Sequence, residues 1–309
     1  ARYDVFSDPA KALAYLKETA TFPIVVKADG LALGKGVLIP QNLQEAEAAV
    51  KSIMEDKAFG DSGNEIVIEE FLTGPEVSVL AFTDGTAIVP MVSSMDHKRA
   101  GDGDTGLNTG GMGTVAPNPY YTPEIATACM ETIFLPTLAA MRAEGCPFKG
   151  CLYFGLMLTP EGPRVIEYNC RFGDPETQVV LPLLKTDLLT VMQSVENETL
   201  GNLRVEWSDG AAACVILASG GYPESYEKGK EITIPENLPA NVTVYHAGDK
   251  LLEDGKLVTS GGRVLGVTAA KETLEAALKD AYAAAERIGF EGKYLRRDIG
   301  KRALRALEG

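Results

Sequence analysis

The sequence predicts an α+β protein, because segments of strand character pair in hairpins while separately capped helices lie between them. Two hairpins are expected, with strands at 76–82 and 87–92 and at 151–158 and 164–169. Each hairpin closes on a short turn, which makes its strands antiparallel. Helices are predicted to begin at Asp8, Asn42 and Thr122, each a residue type whose side chain can accept a hydrogen bond from the first helical turn. The second is expected to run to about Met54 and the third to about Ala143.

The length of 309 residues predicts two or three domains. The predicted domains are 1–72, 73–196 and 197–309, and a polar break at 198–204 indicates the second boundary. The last of these alternates strands with turns before a helix at 273–288, so we expect a mixed α/β domain at the C-terminus. A hydrophobic content of 45% with mean hydropathy near zero is typical of a globular protein with ample core.

Composition excludes several classes of function. The net charge of −14 disfavours non-specific nucleic-acid binding, and no apolar run reaches the roughly 18 residues of a membrane span. Five cysteines without CxxC spacing and only two histidines argue against a disulfide framework or a zinc site. With no signal peptide at the start, we expect a cytoplasmic protein in a reducing compartment. The sequence does not indicate the oligomeric state.

A glycine-rich hairpin is predicted between a buried strand at 22–26 and a strand that resumes at Val37. Lysines stand on both sides of its turn, at Lys27 and Lys35. Such a turn can fold over phosphates through backbone N–H groups, although it lacks the P-loop pattern. A flexible hairpin with solvated lysines is the alternative.

Two later segments carry candidate ligand-binding groups. The strand at 66–72 ends in acidic residues that include Glu69, and the next strand begins at Glu76. The backbone beside these acids can offer an edge to a base, and their carboxylates can accept from ribose hydroxyls. Residues 93–119 are predicted to be a long loop, in which Asp96 to Arg99 concentrates charge and the glycines after Asn108 present backbone amides. A disordered linker is the alternative for this loop.

The stretch from Val165 to Gln178 is the most informative in the chain. Glu167 and Asn169 are two residues apart, so on a strand both side chains face the same side. A carboxylate and an amide oxygen on one face suit a hard cation such as Mg²⁺. Arg171 adds a planar guanidinium that can bind phosphate or carboxylate, and Asp174 and Glu176 add negative charge beside it. A polar strand end with surface salt bridges is the alternative. Arg263 is interpreted as structural.

The order of these features resembles the ATP-grasp superfamily, in which two α+β subdomains close on ATP. Longer motifs look like the glycinamide ribonucleotide synthetase family, with matches from near residue 1 to about residue 304. The motifs that carry this resemblance are KADGLALGKGV, IEEFLTGPEVS, DHKRAGDGDTGLNTGGMG, EYNCRFGDPETQ and SGGRVLGVT.

The resemblance implies ATP-dependent ligation of glycine to 5-phosphoribosylamine, with small-molecule substrates and Mg²⁺ or Mn²⁺ as the metal. It implies that residues 1–72 form the lid of the ATP-grasp fold and 73–196 its core. The nucleotide would be held by Lys27, Lys35, Glu69, Glu70, Leu72 and Glu76, and the metal by Glu167 and Asn169. Arg171 and Asp174 would be catalytic and would also bind substrate. The other implied substrate-binding residues are Asp96, Lys98, Asn108, Gly110, Gly111, Met112, Gly113, Arg296 and Arg297.

Two departures accompany the resemblance. Many ATP-grasp enzymes carry a second metal-binding acid near the position of Gly155 and Leu156, and none stands there. The family also has an N-terminal Rossmann-like domain that no segment of this sequence matches, which suggests a shortened ligase. Two alternatives therefore stay open: an ATP-grasp ligase for another acid or amine, and a nucleotide-binding fragment with little ligase activity.

Overall fold

The computed structural model describes residues 1–30, 32 and 36–308. The chain divides into two compact units, Ala1–Gly74 and Pro75–Gly309. The predicted boundary between 196 and 197 stays a prediction.

The first unit is an antiparallel sheet covered by helices, with the strand order β1-β4-β2-β3. Its elements are β1 (Tyr3–Phe6), α1 (Pro9–Glu18), β2 (Ile24–Ala28), β3 (Val37–Leu38), α2 (Leu43–Val50) and β4 (Ile66–Glu70). A π-helical turn, Lys51–Glu55, continues α2, so the predicted extent of this helix is confirmed. The core between the helices and the sheet includes Leu16, Val26, Val50, Ile53, Ile66 and Ile68.

Both predicted helix starts in the first unit are confirmed. Asp8 Oδ1 accepts from the Ala10 N–H at 2.8 Å, and Pro9 fills the first helical position, where no N–H is needed. Asn42 Oδ1 accepts from the Glu45 N–H at 3.0 Å, and the Glu45 carboxylate returns to the Gln41 N–H at 2.9 Å. This reciprocal pairing satisfies the backbone donors that an α-helix leaves open at its start.

The second unit holds two larger antiparallel sheets. The first has the order β12-β11-β5-β6, and the second has the order β14-β17-β13-β10-β7 with β18 paired to β13. The strands are β5 (Glu76–Asp84), β6 (Ile88–Pro90), β7 (Met95–Asp96), β8 (Arg99–Gly101), β9 (Thr105–Asn108), β10 (Gly113–Ala116), β11 (Lys149–Thr159), β12 (Gly162–Asn169), β13 (Ala211–Ser219), β14 (Val242–His246), β15 (Asp249–Leu251), β16 (Leu257–Thr259), β17 (Arg263–Lys271) and β18 (Lys293–Tyr294). The helices are α3 (Pro123–Cys129), α4 (Leu135–Ala143), α5 (Thr177–Val180), α6 (Leu188–Glu196), α7 (Leu274–Arg287) and α8 (Lys301–Glu308).

Hydrophobic side chains pack on both faces of these sheets. A core that includes Leu80, Tyr153, Val179 and Cys214 joins β5, β11, α5 and β13. On the opposite face of β13 and β17, α7 contributes alanines such as Ala281 and Ala284 to a second core. The two hairpins predicted from the sequence are confirmed as β5–β6 and β11–β12.

The helix predicted from Thr122 to Ala143 is confirmed, with a π-helical turn, Met130–Phe134, between α3 and α4. The expectation that no apolar segment reaches the length of a membrane span needs correction: in the described part of the chain, Pro123–Ala143 is long and apolar enough, by length and composition alone, to cross a membrane. Its buried side chains, among them Cys129, Phe134 and Leu138, pack against β5 and β11. That contact is the one a core helix makes with its sheet.

The prediction of a long loop at 93–119 is wrong. The segment contains β7, β8, β9 and β10, of which β10 pairs with β13 and β8 pairs with β9. These strands are two to four residues long and rich in glycine, so they show no alternating hydrophobic pattern. Their positions depend on partners far along the chain, which local pattern does not reveal.

Candidate active site

Polar side chains line one face of the sheet where β5, β11 and β12 lie side by side. Ser78 pairs with Gly155, and Gly155 pairs with Glu167, so these three residues form a row across the sheet. Asn169 follows two positions later on β12 and pairs with Tyr153. Glu167 and Asn169 therefore share a face, as their spacing predicts.

Gly155 is required by the closeness of Glu167. A Cβ at residue 155 would lie 2.9 Å from Glu167 Cγ and 3.4 Å from the Tyr153 ring. A side chain at this position would displace the glutamate.

Lys98 lies among carboxylates of this face. Its Nζ is 3.4 Å from Glu76 Oε2 and 3.8 Å from Glu167 Oε1. Burial alone would lower the pKa of Lys98, but Glu76, Glu167 and Asp96 together raise it above its usual value. The lysine therefore stays positively charged and balances the acids around it.

Glu176 is a buried acid to which the sequence assigns no specific role. It accepts from Ser78 Oγ at 3.3 Å, and Ser78 Oγ lies 2.9 Å from the Tyr153 hydroxyl. Burial raises the pKa of Glu176, and burial together with Glu176 raises the pKa of Asp96 well above its usual value. Glu176 was visible within the stretch that follows Asn169, but nothing local indicated its burial.

The residues predicted to hold a metal fit a hard divalent cation. Glu167 and Asn169 offer a carboxylate and an amide oxygen on one strand face. Within the described residues, no group of three or more His, Cys, Asp or Glu side chains forms a metal cluster. Two oxygen ligands are sufficient for Mg²⁺, which retains several waters and is commonly held between one or two carboxylates and substrate phosphates.

A second group of predicted residues meets around Arg263. This arginine donates to the carbonyl of Gly110 at 2.8 Å and to both the carbonyl and the carboxylate of Asp174, at 2.9 and 3.1 Å. Sequence reasoning interpreted Arg263 as structural, because nothing near it in the chain indicated these partners. The neighbouring Arg171 is exposed, and its guanidinium donates to the Phe172 carbonyl at 2.8 Å.

The interpretation that residues 110–113 present free backbone amides needs correction. The N–H of Gly110 donates to the Tyr222 hydroxyl at 3.0 Å, and that of Gly111 donates to Thr109 Oγ1 at 2.9 Å. The N–H of Met112 donates to the His97 carbonyl at 2.8 Å. These three amides are already satisfied inside the protein.

Packing explains the glycines of this run instead. A Cβ at Gly111 would lie 2.6 Å from Asp96 Oδ1, and one at Gly113 would lie 2.7 Å from the Cys214 carbonyl. The φ angles of Gly111 and Gly113 are +112° and +156°, in a region that side chains disfavour. Asn108 lies on β9 with an exposed side chain, and the Met112 side chain is fully buried.

The two C-terminal arginines lie in different surroundings. Arg296 is 1% exposed, and its guanidinium donates to Asp298, to Asp104 and to the Arg99 carbonyl. Arg297 is exposed and donates to Glu286 at 2.6 Å. Arg296 therefore holds neighbouring backbone in place, and the predicted contact of each arginine with a ribosyl phosphate stays a prediction.

In the first unit, two of the residues predicted to bind nucleotide form an ion pair. Lys27 Nζ lies 2.7 Å from Glu69 Oε2, and both side chains are largely buried. Glu70 is at the end of β4, where Oε1 accepts from the Arg2 N–H at 2.7 Å. Leu72 follows β4 and is half-buried. Lys35 lies outside the described residues.

Comparison with known proteins gives consistent matches along the chain. Residues 1–177 match the family model of the phosphoribosylglycinamide synthetase ATP-grasp (A) domain, and residues 212–302 match that of the phosphoribosylglycinamide synthetase C domain. The chain is 50% identical over 306 residues to a phosphoribosylamine–glycine ligase from Chlorobaculum tepidum. The matched region covers 98% of this chain and 72% of that protein.

Two further comparisons extend this result. A bifunctional purine biosynthetic protein from Pichia angusta is 50% identical over 307 residues, and the chain spans 39% of its length. The crystal structure of a phosphoribosylamine–glycine ligase from Thermotoga maritima matches with a TM-score of 0.88 and 40% identity, covering 97% of this chain and 74% of that chain.

Proposed function

Because the chain belongs to the phosphoribosylglycinamide synthetase family, we propose that it joins glycine to 5-phosphoribosylamine with cleavage of ATP to ADP and phosphate. The observation that carries the proposal is the pair of family matches over residues 1–177 and 212–302. The ATP-grasp fold predicted from the sequence is confirmed by the same match and by the Thermotoga maritima structure.

The proposed reaction has two steps. A carboxylate oxygen of glycine attacks the γ-phosphorus of ATP, the bond to the β–γ bridging oxygen breaks, and ADP leaves. The amine of phosphoribosylamine then attacks the carbonyl carbon of the acyl phosphate and loses a proton, and phosphate leaves with its bridging oxygen. Neither step needs a protein nucleophile, so catalysis consists of positioning and charge neutralisation.

In the first unit, Lys27 is proposed to neutralise ATP phosphate. Its ion pair with Glu69, at 2.7 Å, keeps the ammonium group in place before nucleotide binds. Glu69 and Glu70 are proposed to hold the nucleotide, together with the backbone at Leu72. Lys35, which lies outside the described residues, is proposed to contact phosphate as well.

In the second unit, Glu76 is proposed to accept from ribose hydroxyls, and Glu167 and Asn169 to hold the metal. ATP-grasp ligases use ATP with a divalent cation, and a bound Mg²⁺ or Mn²⁺ would offset the negative charge of the phosphates. Lys98, which faces both Glu76 and Glu167, keeps these carboxylates close together in the absence of ligand. Asp96 and the exposed residues Asn108 and Gly110 are proposed to contact substrate, and the buried residues 111–113 are proposed to support this segment.

Arg171 and Asp174 are proposed to position glycine and phosphoribosylamine. Arg297 is proposed to contact the ribosyl phosphate, and the buried Arg296 is proposed to support that contact by holding the neighbouring backbone. Of the two, Arg297 has the exposed side chain. The proposed partners are small molecules, and the net charge of −14 supports the absence of nucleic acid among them. A cytoplasmic location is proposed from the relation to biosynthetic enzymes.

The proposal is tested by measuring ADP and product together. We expect the protein to release ADP and to form glycinamide ribonucleotide in equal amounts when glycine, phosphoribosylamine and Mg·ATP are all present. Alanine and serine in place of glycine serve as controls. Equal product with another amino acid would identify a different ligase, and ATP binding without product would identify a nucleotide-binding protein without ligase activity.

A further inference from the structure

The carboxylate of Asp174 is held on both of its oxygens. Gln178 Nε2 donates to Oδ1 at 2.9 Å, and Arg263 Nη2 donates to Oδ2 at 3.1 Å. The Asp174 side chain nevertheless stays 50% exposed. Each carboxylate oxygen can accept two hydrogen bonds, so one acceptor position on each oxygen remains for a ligand.

Arg263 connects this carboxylate to the glycine-rich segment. Its Nη1 donates both to the Asp174 carbonyl at 2.9 Å and to the Gly110 carbonyl at 2.8 Å. Residue 110 has no room for a side chain, since a Cβ there would lie 2.8 Å from Arg263 Cζ. The planar, always charged guanidinium fixes several oxygens at once, which a lysine ammonium cannot reproduce.

Regular structure holds Arg263 itself in place. It is the first residue of β17, where it pairs with Ala218 of β13, and its own carbonyl accepts from the Gly248 N–H at 2.8 Å. Tyr222 accepts from the Gly110 N–H at 3.0 Å, and its ring packs on Gly262, where a Cβ would lie 2.2 Å away. Tyr222 thus binds the N–H of Gly110 and Arg263 binds its carbonyl, and both residues lie near the same end of the β13–β17 pair.

The orientation of the Gln178 side-chain amide leaves its oxygen without a hydrogen-bond partner among the described residues. This oxygen, Oε1, is buried, while Nε2 of the same amide donates to Asp174. A buried acceptor without a partner destabilises a protein, so natural structures contain few of them. The orientation of this amide is explained by its contact with Asp174.

We propose that Arg263 and Gln178 are positioning residues that fix the Asp174 carboxylate to receive the amino group of a substrate. Tyr222 supports the same arrangement through Gly110. The inference rests on the proposed function, because glycine and phosphoribosylamine are the amines of that reaction. The three residues act through Asp174 and Gly110, and the amine itself contacts Asp174.

Kinetics of four variants test the inference. Arg263→Met and Gln178→Met remove the donors, Arg263→Lys keeps the charge without the fork, and Arg204→Met removes an arginine that is 90% exposed and serves as control. We expect Arg263→Met to reduce kcat/KM for glycine or phosphoribosylamine roughly 10- to 100-fold, as loss of hydrogen bonds to a charged group does. The KM for ATP should change less than about twofold, because Arg263 contacts no residue proposed to bind nucleotide. Arg263→Lys should recover part of the loss.

A double-mutant comparison separates positioning from general structural support. If Arg263 acts through Asp174, then Arg263→Met should have little further effect in an Asp174→Asn background. Full additivity of the two changes would overturn the inference. An equal rise in the KM of the amine substrates and in the KM of ATP would also overturn the inference. Absence of glycine-dependent product with the wild-type protein would contradict the proposed function itself, which distinguishes that failure from a failure of this inference.

Hydrogen exchange tests the same inference without activity. In Arg263→Met we expect amide exchange at residues 109–112 and 173–178 to accelerate at least about tenfold, because both segments lose a shared anchor. Arg204→Met should exchange at the wild-type rate. Unchanged exchange at both segments in Arg263→Met would show that the arginine does not hold them and would overturn the inference.

Discussion

Gly155 lies directly opposite Glu167 in the ladder between β11 and β12, with space between them for a hydrogen atom and not for a methyl group. We expect Gly155→Ala to displace the Glu167 carboxylate and to lower turnover at least about tenfold, since small misplacements in a site are costly. Gly289→Ala is the matched control, because a Cβ there meets no atom within 4 Å. Equal activity of the two variants would show that the close approach has no functional consequence.

Glu167→Gln tests the metal assignment directly. It removes a charged ligand with little change in volume, and loss of one electrostatic stabiliser costs about 2.7–4 kcal/mol in the transition state. We therefore expect phosphoryl transfer to fall at least about 100-fold. Glu161→Gln, in the exposed turn between β11 and β12, is the control. Full ATP turnover in Glu167→Gln would remove this residue from the metal site.

Lys98 provides a prediction about stability and pH. Lys98→Met leaves Glu76 and Glu167 without their shared cation, and because these groups are partly exposed we expect a loss of about 1–3 kcal/mol in the free energy of unfolding at pH 7. This loss should shrink as the pH falls. The pKa values of Asp96 and Glu176 are raised by burial, so these two acids take up protons in the folded state and leave less negative charge for Lys98 to balance.

Lys98→Arg, which keeps the charge, should be close to wild type in the same chemical denaturation series. A deficit in Lys98→Met that stays constant from pH 7 to pH 5 would contradict this electrostatic account.

His97 connects Gly113 to Gly300. Its Nε2 accepts from the Gly300 N–H at 3.1 Å, which leaves the proton on Nδ1 for the Gly113 carbonyl, also at 3.1 Å. Burial and the charge of Arg296 lower the pKa of His97 to about 4. The unfolded chain therefore binds a proton near pH 6.5, before the folded protein does.

We expect this difference to reduce the free energy of unfolding as the pH falls from about 6.5 to about 4, by an amount on the order of 3 kcal/mol. His97→Asn lacks the titrating ring, so the stability difference between wild type and variant should narrow over that range. Denaturation at several pH values measures it. If the difference in the free energy of unfolding between wild type and His97→Asn does not vary with pH, protonation of His97 is not coupled to unfolding, and this account is contradicted.

Parts of the fold followed directly from the sequence. The caps at Asp8 and Asn42 and the two hairpins depend on local hydrogen bonding and turn residues, which sequence pattern encodes. The shared face of Glu167 and Asn169 follows from the two-residue period of a strand. By contrast, Arg263 meets Asp174 across 89 residues of chain, and no local signal predicts a contact formed by sheet pairing.

The short strands between residues 93 and 119 were missed for a related reason. Glycines in and between these strands are required by atoms that approach them, such as Asp96 Oδ1 beside Gly111 and the Cys214 carbonyl beside Gly113. In the sequence alone, these glycines were interpreted as amide donors for a ligand. The donors are in fact used inside the protein, so the glycines reflect packing.

We propose that the protein activates glycine as glycyl phosphate and transfers the glycyl group to phosphoribosylamine. The most direct measurement uses glycine labelled with ¹⁸O in both carboxylate oxygens, followed by mass spectrometry of the phosphate and the amide product. Our account predicts that one labelled oxygen appears in the released phosphate and the other stays in glycinamide ribonucleotide. Phosphate without label would contradict it, because ATP would then have been cleaved by water.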